Sequence, residues 1–107
     1  MAVFGVLGGD RRQLYLARSL EEDGHTLFLH GLEGLEGAAA FPTLPLEELG
    51  RRCPVVVLPL PAVREGSFLN APFAQVPIPL DDSFAAALAP CQVLGGMVGK
   101  LRQTSPL

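Results

Sequence analysis

The stretch VFGVLGGDRRQ (residues 3–13) predicts how this chain folds. Its first five residues are apolar or glycine, which is typical of a strand covered on both faces. Gly8 and Gly9 follow, and glycine allows both a positive φ and a close approach of a ligand to the backbone. Asp10 suits the N-cap of a helix, and Gln13 completes a capping-box pattern. The stretch therefore predicts a buried parallel strand that turns into a helix at the carboxyl edge of a sheet.

The start of this predicted helix is also a candidate anion-binding site. First-turn amides and the helix dipole favour an anion there. Arg11 and Arg12 lie in the same turn, where the dipole disfavours cations, so their charge indicates a ligand. The alternative is an ordinary strand-to-helix turn with solvated arginines. The glycine spacing matches neither the dinucleotide fingerprint nor a P-loop, because G-x-G-x-x-G is absent and no Gly-Lys-Ser/Thr follows.

Length and composition predict one globular domain over residues 1–107. Hydrophobic residues make up 49% of the chain and charged residues 18%, which excludes a disordered protein. The net charge of −3 argues against nucleic acid or an anionic membrane as partner. No apolar stretch approaches the roughly 20 residues that span a bilayer. Cys53 and Cys91 lack zinc spacing, so we expect no metal site and a reduced cytoplasmic setting.

Strand and helix patterns alternate along the chain. Strands are predicted at residues 3–7, 26–30, 54–58 and 92–94, and helices at 11–23, 43–51, 81–88 and from Met97 onward. Thr43 is the predicted cap of the second helix, and residues 62–80 are predicted to be irregular. This alternation predicts a parallel sheet with right-handed crossovers.

The predicted fold is an α/β, Rossmann-like (flavodoxin-like) three-layer fold with a parallel sheet of about four strands in the order 2-1-3-4. In that order a crevice opens above strands one and three. Loops 8–13, 59–70 and 95–97 would meet there, together with Arg11, Arg12, Arg64 and Asn70. A small dicarboxylate would suit the crevice, because arginine forms bidentate pairs with carboxylates.

Several motifs resemble the amino-terminal domain of the A-type chain of dipicolinate synthase. They are GGDRRQLYLA (8–17), EDGH (22–25), LPLP (58–61), LNAPF (69–73), IPL (78–80) and GGM (95–97). The segments follow the order of that family and cover nearly the whole chain. The first motif together with LNAPF makes a fairly specific pair, whereas either one alone is weak.

The resemblance implies an activity that composition does not. The A-type and B-type chains of that enzyme together oxidise a dihydrodipicolinate-type dicarboxylate to dipicolinate during sporulation, in the mother-cell cytoplasm. The A-type chain is similar to a two-domain dehydrogenase whose carboxyl-terminal domain binds NAD(P), and the B-type chain is flavoprotein-like. The present chain ends about where that nucleotide domain would begin. We therefore expect no cofactor on this domain alone and incomplete catalysis, with the dicarboxylate, the B-type chain and a second copy of this chain as candidate partners.

The candidate substrate or anion ligands combine residues carried over from the family's motifs with Arg64, which follows from the predicted topology. They are Gly8, Gly9, Asp10, Arg11, Arg12, Arg64, Asn70 and Gly96. No catalytic acid or base stands out. Two alternatives remain open: a stand-alone nucleotide- or anion-binding module, and a subunit-interaction domain without catalysis.

Overall fold

A computed structural model describes residues 2–64 and 66–94 of the chain. Six strands and three α-helices are present in this part. They are β1 (Val3–Leu7), α1 (Arg11–Glu22), β2 (Thr26–His30), α2 (Leu46–Arg52), β3 (Val55–Val57), β4 (Val63–Arg64), β5 (Phe68–Leu69), α3 (Asp82–Leu88) and β6 (Gln92–Leu94). A short 3₁₀ turn spans Ala38–Ala40. The helix predicted from Met97 and the candidate ligand Gly96 lie outside the described residues.

The main sheet has the order β2-β1-β3-β6, and all three pairings are parallel. Gly5 pairs with Phe28 on one side and with Val56 on the other, which fixes the register of the centre. Because the chain order reverses between β1 and β3, their carboxyl ends form the switch point of the sheet. The predicted strand order and fold class are confirmed.

The core lies on both faces of this sheet, as a three-layer fold requires. Val6 and Leu7 are adjacent in β1 and both are fully buried, but they belong to different apolar clusters. The Val6 cluster includes Leu14 and Ala17 of α1. The Leu7 cluster includes residues of α2 and α3. Successive strand residues point to opposite faces, so an unbroken apolar run in β1 serves both layers.

The predicted start of the second helix is wrong. Thr43 does not cap α2; it forms a parallel bridge with Leu29 and so extends the outer edge of β2. The helix begins after Pro45, which occupies the N-cap position without a side-chain hydrogen bond. Thr43 is used to cover an edge strand, and β-branched residues suit that role.

Residues 62–80 contain a small antiparallel hairpin of β4 and β5, where the sequence pattern predicts irregular structure. Phe68 also bridges Pro79, and the amide of Leu80 donates to the carbonyl oxygen of Ser67. Two-residue strands carry almost no period in their sequence, so the pattern does not reveal them. The hairpin places Arg64 and Asn70 after β3.

The two cysteines lie before β3 and β6, at the amino edge of the sheet. Cys53 is buried and Cys91 is half-buried. Burial, together with the neighbouring Cys91, raises the pKa of the Cys53 thiol to about 11. Since the thiolate is the reactive form, Cys53 is a poor nucleophile at neutral pH. No helix of the described residues is long and apolar enough to cross a membrane.

Candidate functional site

The glycine turn after β1 is held by main-chain hydrogen bonds. Gly8 and Gly9 both have positive φ values, 52° and 83°. The Gly8 amide donates to the carbonyl oxygen of His30 at 2.8 Å, and the Gly9 amide donates to that of Asn70 at 2.7 Å. A Cβ atom on Gly8 would lie 2.9 Å from the Asn70 oxygen, so a larger residue would push the two loops apart. These two amides are therefore already used in hydrogen bonds within the protein.

Asp10 caps α1 and also orients Arg12. Its Oδ1 accepts from the Arg12 main-chain amide at 2.9 Å and from Arg12 Nε at 3.1 Å. Arg12 Nη2 donates to Asp10 Oδ2 at 3.2 Å and to the carbonyl oxygen of Leu60 at 3.1 Å. Hydrogen bonding to the Arg12 side chain holds the pKa of the Asp10 carboxyl below its usual value, so the pair is ionised at neutral pH. Arg12 is thus fixed between α1 and the loop after β3.

Two amides of this turn keep their hydrogen-bonding capacity. The amide of Gln13 donates to the carbonyl oxygen of Asp10, which closes the first helical turn. The main-chain N–H groups of Asp10 and Arg11 donate to no described atom. They lie at the positive end of the α1 dipole, next to the Arg12 guanidinium. Of the described groups at this turn, these two N–H groups and the Arg12 guanidinium are the ones that can bind an anion.

Gln13 has a role that its sequence position does not indicate. It is the polar side chain that is buried among the described residues, with 8% of its surface exposed. Its Nε2 donates to the carbonyl oxygen of Leu7 at 3.0 Å and to that of Val57 at 3.4 Å. The capping-box prediction for Gln13 is wrong, because its side-chain amide does not cap α1 but joins the carboxyl ends of β1 and β3. The sequence feature that indicates its burial is its position four residues before Ala17, on the buried face of α1.

Asn70 ties together the loops that the predicted topology brings to this edge. Its carbonyl oxygen accepts from Gly9, and its Nδ2 donates to the carbonyl oxygen of Pro61 at 2.9 Å. The loops after β1 and β3 do therefore meet, as predicted. The Asn70 main-chain amide also donates to the carbonyl oxygen of Ala62 at 2.8 Å. All three hydrogen bonds of Asn70 are with the protein's own backbone, so its observed role is to hold the loops in place.

Arg11 and Arg64 lie apart from Arg12. Arg11 lines an open cavity of about 370 Å³ with Tyr15, Arg18 and the loop at Glu36. Arg64 lines another of about 420 Å³, formed mainly by residues 68–77. The two cavities share no lining residue, and Arg12 lines neither. The structure brings together Gly8, Gly9, Asp10, Arg12 and Asn70, with the side chains of Arg11 and Arg64 directed elsewhere.

The described groups at this site are hydrogen-bond donors and one ion pair, which can bind an anion. Within residues 2–64 and 66–94, no group of three or more His, Cys, Asp or Glu side chains could hold a metal ion. The site offers an oriented guanidinium and main-chain donors, which suit a carboxylate or phosphate oxygen. The carboxylate of the site, Asp10, is paired and its pKa is held below the usual value by its hydrogen bonds to Arg12, so it is a poor general base near neutral pH.

The fold and the site define a class: a Rossmann-like α/β domain with a turn of hydrogen-bond donors at its switch point. The family model of the dipicolinate synthase A-chain N-terminal domain matches residues 3–104. The chain belongs to this family. No curated protein shows significant sequence similarity to this chain.

A solved structure has the same architecture. The A chain of dipicolinate synthase from Bacillus subtilis superimposes with a TM-score of 0.73 at 20% sequence identity. The match covers 97% of this chain and 37% of that chain. At this identity the likeness shows the fold alone, and this chain spans little more than a third of its structural neighbour.

Proposed function

We propose that this chain is the substrate-side domain of a dipicolinate synthase and that its glycine turn binds one carboxylate of a ring dicarboxylate. The observation that carries the proposal is the position of Arg12 at the β1/β3 switch point. Its guanidinium is held there by Asp10 and by the carbonyl oxygen of Leu60. Open α/β sheets bind their ligands at such a point.

In this proposal each candidate ligand has a separate task. The N–H groups of Asp10 and Arg11 and the remaining face of the Arg12 guanidinium hold the first carboxylate. Gly8, Gly9 and Asn70 keep the turn in the required shape, and Asp10 orients Arg12. Arg64 would reach the second carboxylate only from a different side-chain rotamer, because in this structure it lines a separate cavity. Gly96 is kept as a candidate ligand from the family's motif alone. Bidentate recognition of carboxylates by arginine is the shared physical basis.

The oxidation itself would need more than this chain. Hydride transfer to NAD(P) requires a nucleotide site, and we assign that site to the part of a longer family member beyond this domain. Partnership with the flavoprotein-like B-type chain, action during sporulation and a cytoplasmic location belong to the same proposal. They are supported by family membership and by a structural neighbour of which this chain covers 37%.

The test is titration calorimetry of pyridine-2,6-dicarboxylate (dipicolinate) into the purified chain, with NADPH as a parallel ligand. Arg12→Ala should weaken dicarboxylate binding by about tenfold, because one charge-assisted contact is lost. Arg51→Ala is the matched control. Both arginines are 68% exposed at the side chain and both are paired with a carboxylate, but Arg51 lies on α2. Equal affinities for Arg12→Ala and the wild type would refute the carboxylate site, and binding of NADPH alone would favour a nucleotide module.

A subunit-interaction role is the second candidate, and exposed apolar side chains favour it. Leu60 and Val76 are 58% and 67% exposed, and both lie between β3 and α3. Leu69, in the same part of the chain, is 3% exposed and so contributes to the core instead of such a contact. Sedimentation velocity distinguishes this role: self-association that Val76→Ser abolishes, without any dicarboxylate binding, would favour it.

A further inference from the structure

The side-chain amide of Gln13 lies at the switch point with its orientation determined by its neighbours. Its Nε2 is within hydrogen-bonding distance of the carbonyl oxygens that end β1 and β3, those of Leu7 and Val57. A carbonyl oxygen can only accept, so the atom facing both must be the nitrogen. Oxygen and nitrogen of this amide are therefore assigned without ambiguity.

The other end of the amide, Oε1, keeps its accepting capacity. No donor among the described residues contacts it. No buried side-chain nitrogen or oxygen of the described part lacks a hydrogen-bond partner, and Gln13 as a residue keeps 8% of its surface exposed. Gly9 leaves the space for this arrangement, since a Cβ there would lie 2.6 Å from Gln13 Cγ.

The first turn of α1 thus carries one hydrogen-bond acceptor, Gln13 Oε1, and several hydrogen-bond donors. The donors are the Arg12 guanidinium and the N–H groups of Asp10 and Arg11, and they suit a carboxylate. An acceptor at the same place suits a different part of the ligand, one that carries an N–H or O–H group. The amide is braced by two main-chain carbonyls, so little conformational freedom is lost when it binds.

We propose that Gln13 determines specificity at this site by accepting, through Oε1, a hydrogen bond from an N–H or O–H group of the ligand. This inference rests on the proposed function, because Arg12 must hold the ligand's carboxylate. The ligand class is a reduced nitrogen heterocycle with two carboxylates and a ring N–H or hydroxyl group. An aromatic pyridine dicarboxylate presents a nitrogen lone pair instead, and two acceptors that face each other repel.

The consequence is a preference for the reduced ring over the aromatic ring. A site with an oriented acceptor favours a ligand that donates to it over an analogue that presents a lone pair at the same place. Such a preference would favour capture of the reduced compound and release of the aromatic one.

The experiment compares two stable probes by titration calorimetry: piperidine-2,6-dicarboxylate, whose ring nitrogen donates, and pyridine-2,6-dicarboxylate, whose ring nitrogen accepts. Gln13→Met keeps the length of the side chain and removes both polar atoms. We expect about a tenfold loss for the piperidine ligand and less than a twofold loss for the pyridine ligand, the difference being one hydrogen bond. Ser19→Ala, on the exposed face of α1, should change neither affinity.

The ratio of the two affinities is the decisive quantity, because a purely structural role would lower both equally. Equal losses in Gln13→Met overturn the inference and leave the proposed function standing. Binding of neither probe by the wild type overturns both. If Gln13→Met does not fold, carbon NMR of the wild-type Gln13 side-chain carbonyl replaces it. A shift with the piperidine ligand and none with the pyridine ligand supports the inference, and the same shift with both contradicts it.

Discussion

Helices α1 and α2 carry opposite charge arrangements at their ends. The charged residues of the first and last turns are Arg11, Arg12, Glu21 and Glu22 in α1 and Glu47, Glu48, Arg51 and Arg52 in α2. A helix dipole favours acids at the start and bases at the end. The arrangement in α2 stabilises the helix, whereas the one in α1 opposes its dipole and is offset only in part by the Asp10 cap.

The contrast indicates what each helix is for. The charges of α2 serve its own stability, and Arg52 also lies 4.8 Å from the centre of the Phe28 ring, a cation–π contact. The first turn of α1 faces the switch point, where we propose that Arg12 and two N–H groups bind an anion. A cation at the positive end of a helix dipole destabilises its helix, so we propose that the cations of α1 serve a ligand.

The largest expected effect concerns the packing of α2. A Cβ atom on Gly50 would lie 1.9 Å from the carbonyl oxygen of Ala87 in α3. Gly50→Ala should lower the free energy of unfolding by about 3 kcal/mol in chemical denaturation, because the backbones must separate. This loss would outweigh the roughly 1 kcal/mol that alanine gains over glycine within a helix. Ser19→Ala in α1 is the control, and a Gly50→Ala protein as stable as the wild type would contradict this packing.

The next effect tests the cap of α1, which α2 lacks. Asp10→Ala removes the acceptor for the Arg12 amide and should cost about 1 kcal/mol of stability, whereas Asp10→Asn keeps a capping oxygen and should cost only a few tenths. Asp10→Asn also releases Arg12 from its counterion, so it should bind dicarboxylate more tightly than the wild type. Chemical denaturation and calorimetry of the two variants measure both effects. Weaker binding by Asp10→Asn would mean that the orientation of Arg12 by Asp10 matters more for binding than the removal of the negative charge.

A matched pair of charge removals tests the dipole argument directly. Arg11→Gln should raise the free energy of unfolding by about 0.5 kcal/mol, and Glu47→Gln should lower it by about the same amount. Both effects should shrink in high salt, which screens surface charges. Thermal denaturation at low and high ionic strength provides the measurement. Shifts of the same sign would show that the charge arrangement of α1 does not destabilise it.

The smallest effect is a pH dependence of the Asp10–Arg12 pair. The folded-state pKa of Asp10 lies below its unfolded value of about 3.9, so its stabilisation is complete above that value. It is lost as the pH falls through the lower, folded-state pKa. Carbon NMR titration of the Asp10 carboxyl should show this lowered pKa in the wild type and a higher pKa in Arg12→Ala, which keeps the main-chain hydrogen bond but loses the guanidinium. Identical titrations would show that the ion pair does not persist in solution.

The regular elements can be predicted from local pattern. β1, β2 and the start of α1 coincide with their predicted bounds, because an apolar run and a glycine turn act within a few residues. The predicted strand order is the commonest arrangement of such βαβ units, and the sheet has it. The hairpin at residues 63–69 and the bridge at Thr43 cannot be predicted in this way, since each depends on a distant partner.

The candidate site is predictable only in part. The glycine turn, Arg12 and the meeting of two loops follow from their position after β1 and β3. The separation of Arg11 and Arg64 from Arg12 does not, because a side chain's direction depends on which face of its element is packed. The capping-box spacing favours a cap at Gln13, although its position on the buried face of α1 indicates an internal partner.

The sequence by itself determined the fold class, the position of the switch point and the residue types that lie there. Periodicity and turn chemistry are local properties, so they survive without knowledge of the rest of the chain. Only the tertiary structure decided which donors are already committed: the amides of Gly8 and Gly9 to neighbouring loops, Arg12 to Asp10, and Gln13 to two strand ends. Hydrogen bonds between distant segments depend on distances of a few tenths of an ångström, and these exist only once the layers have packed.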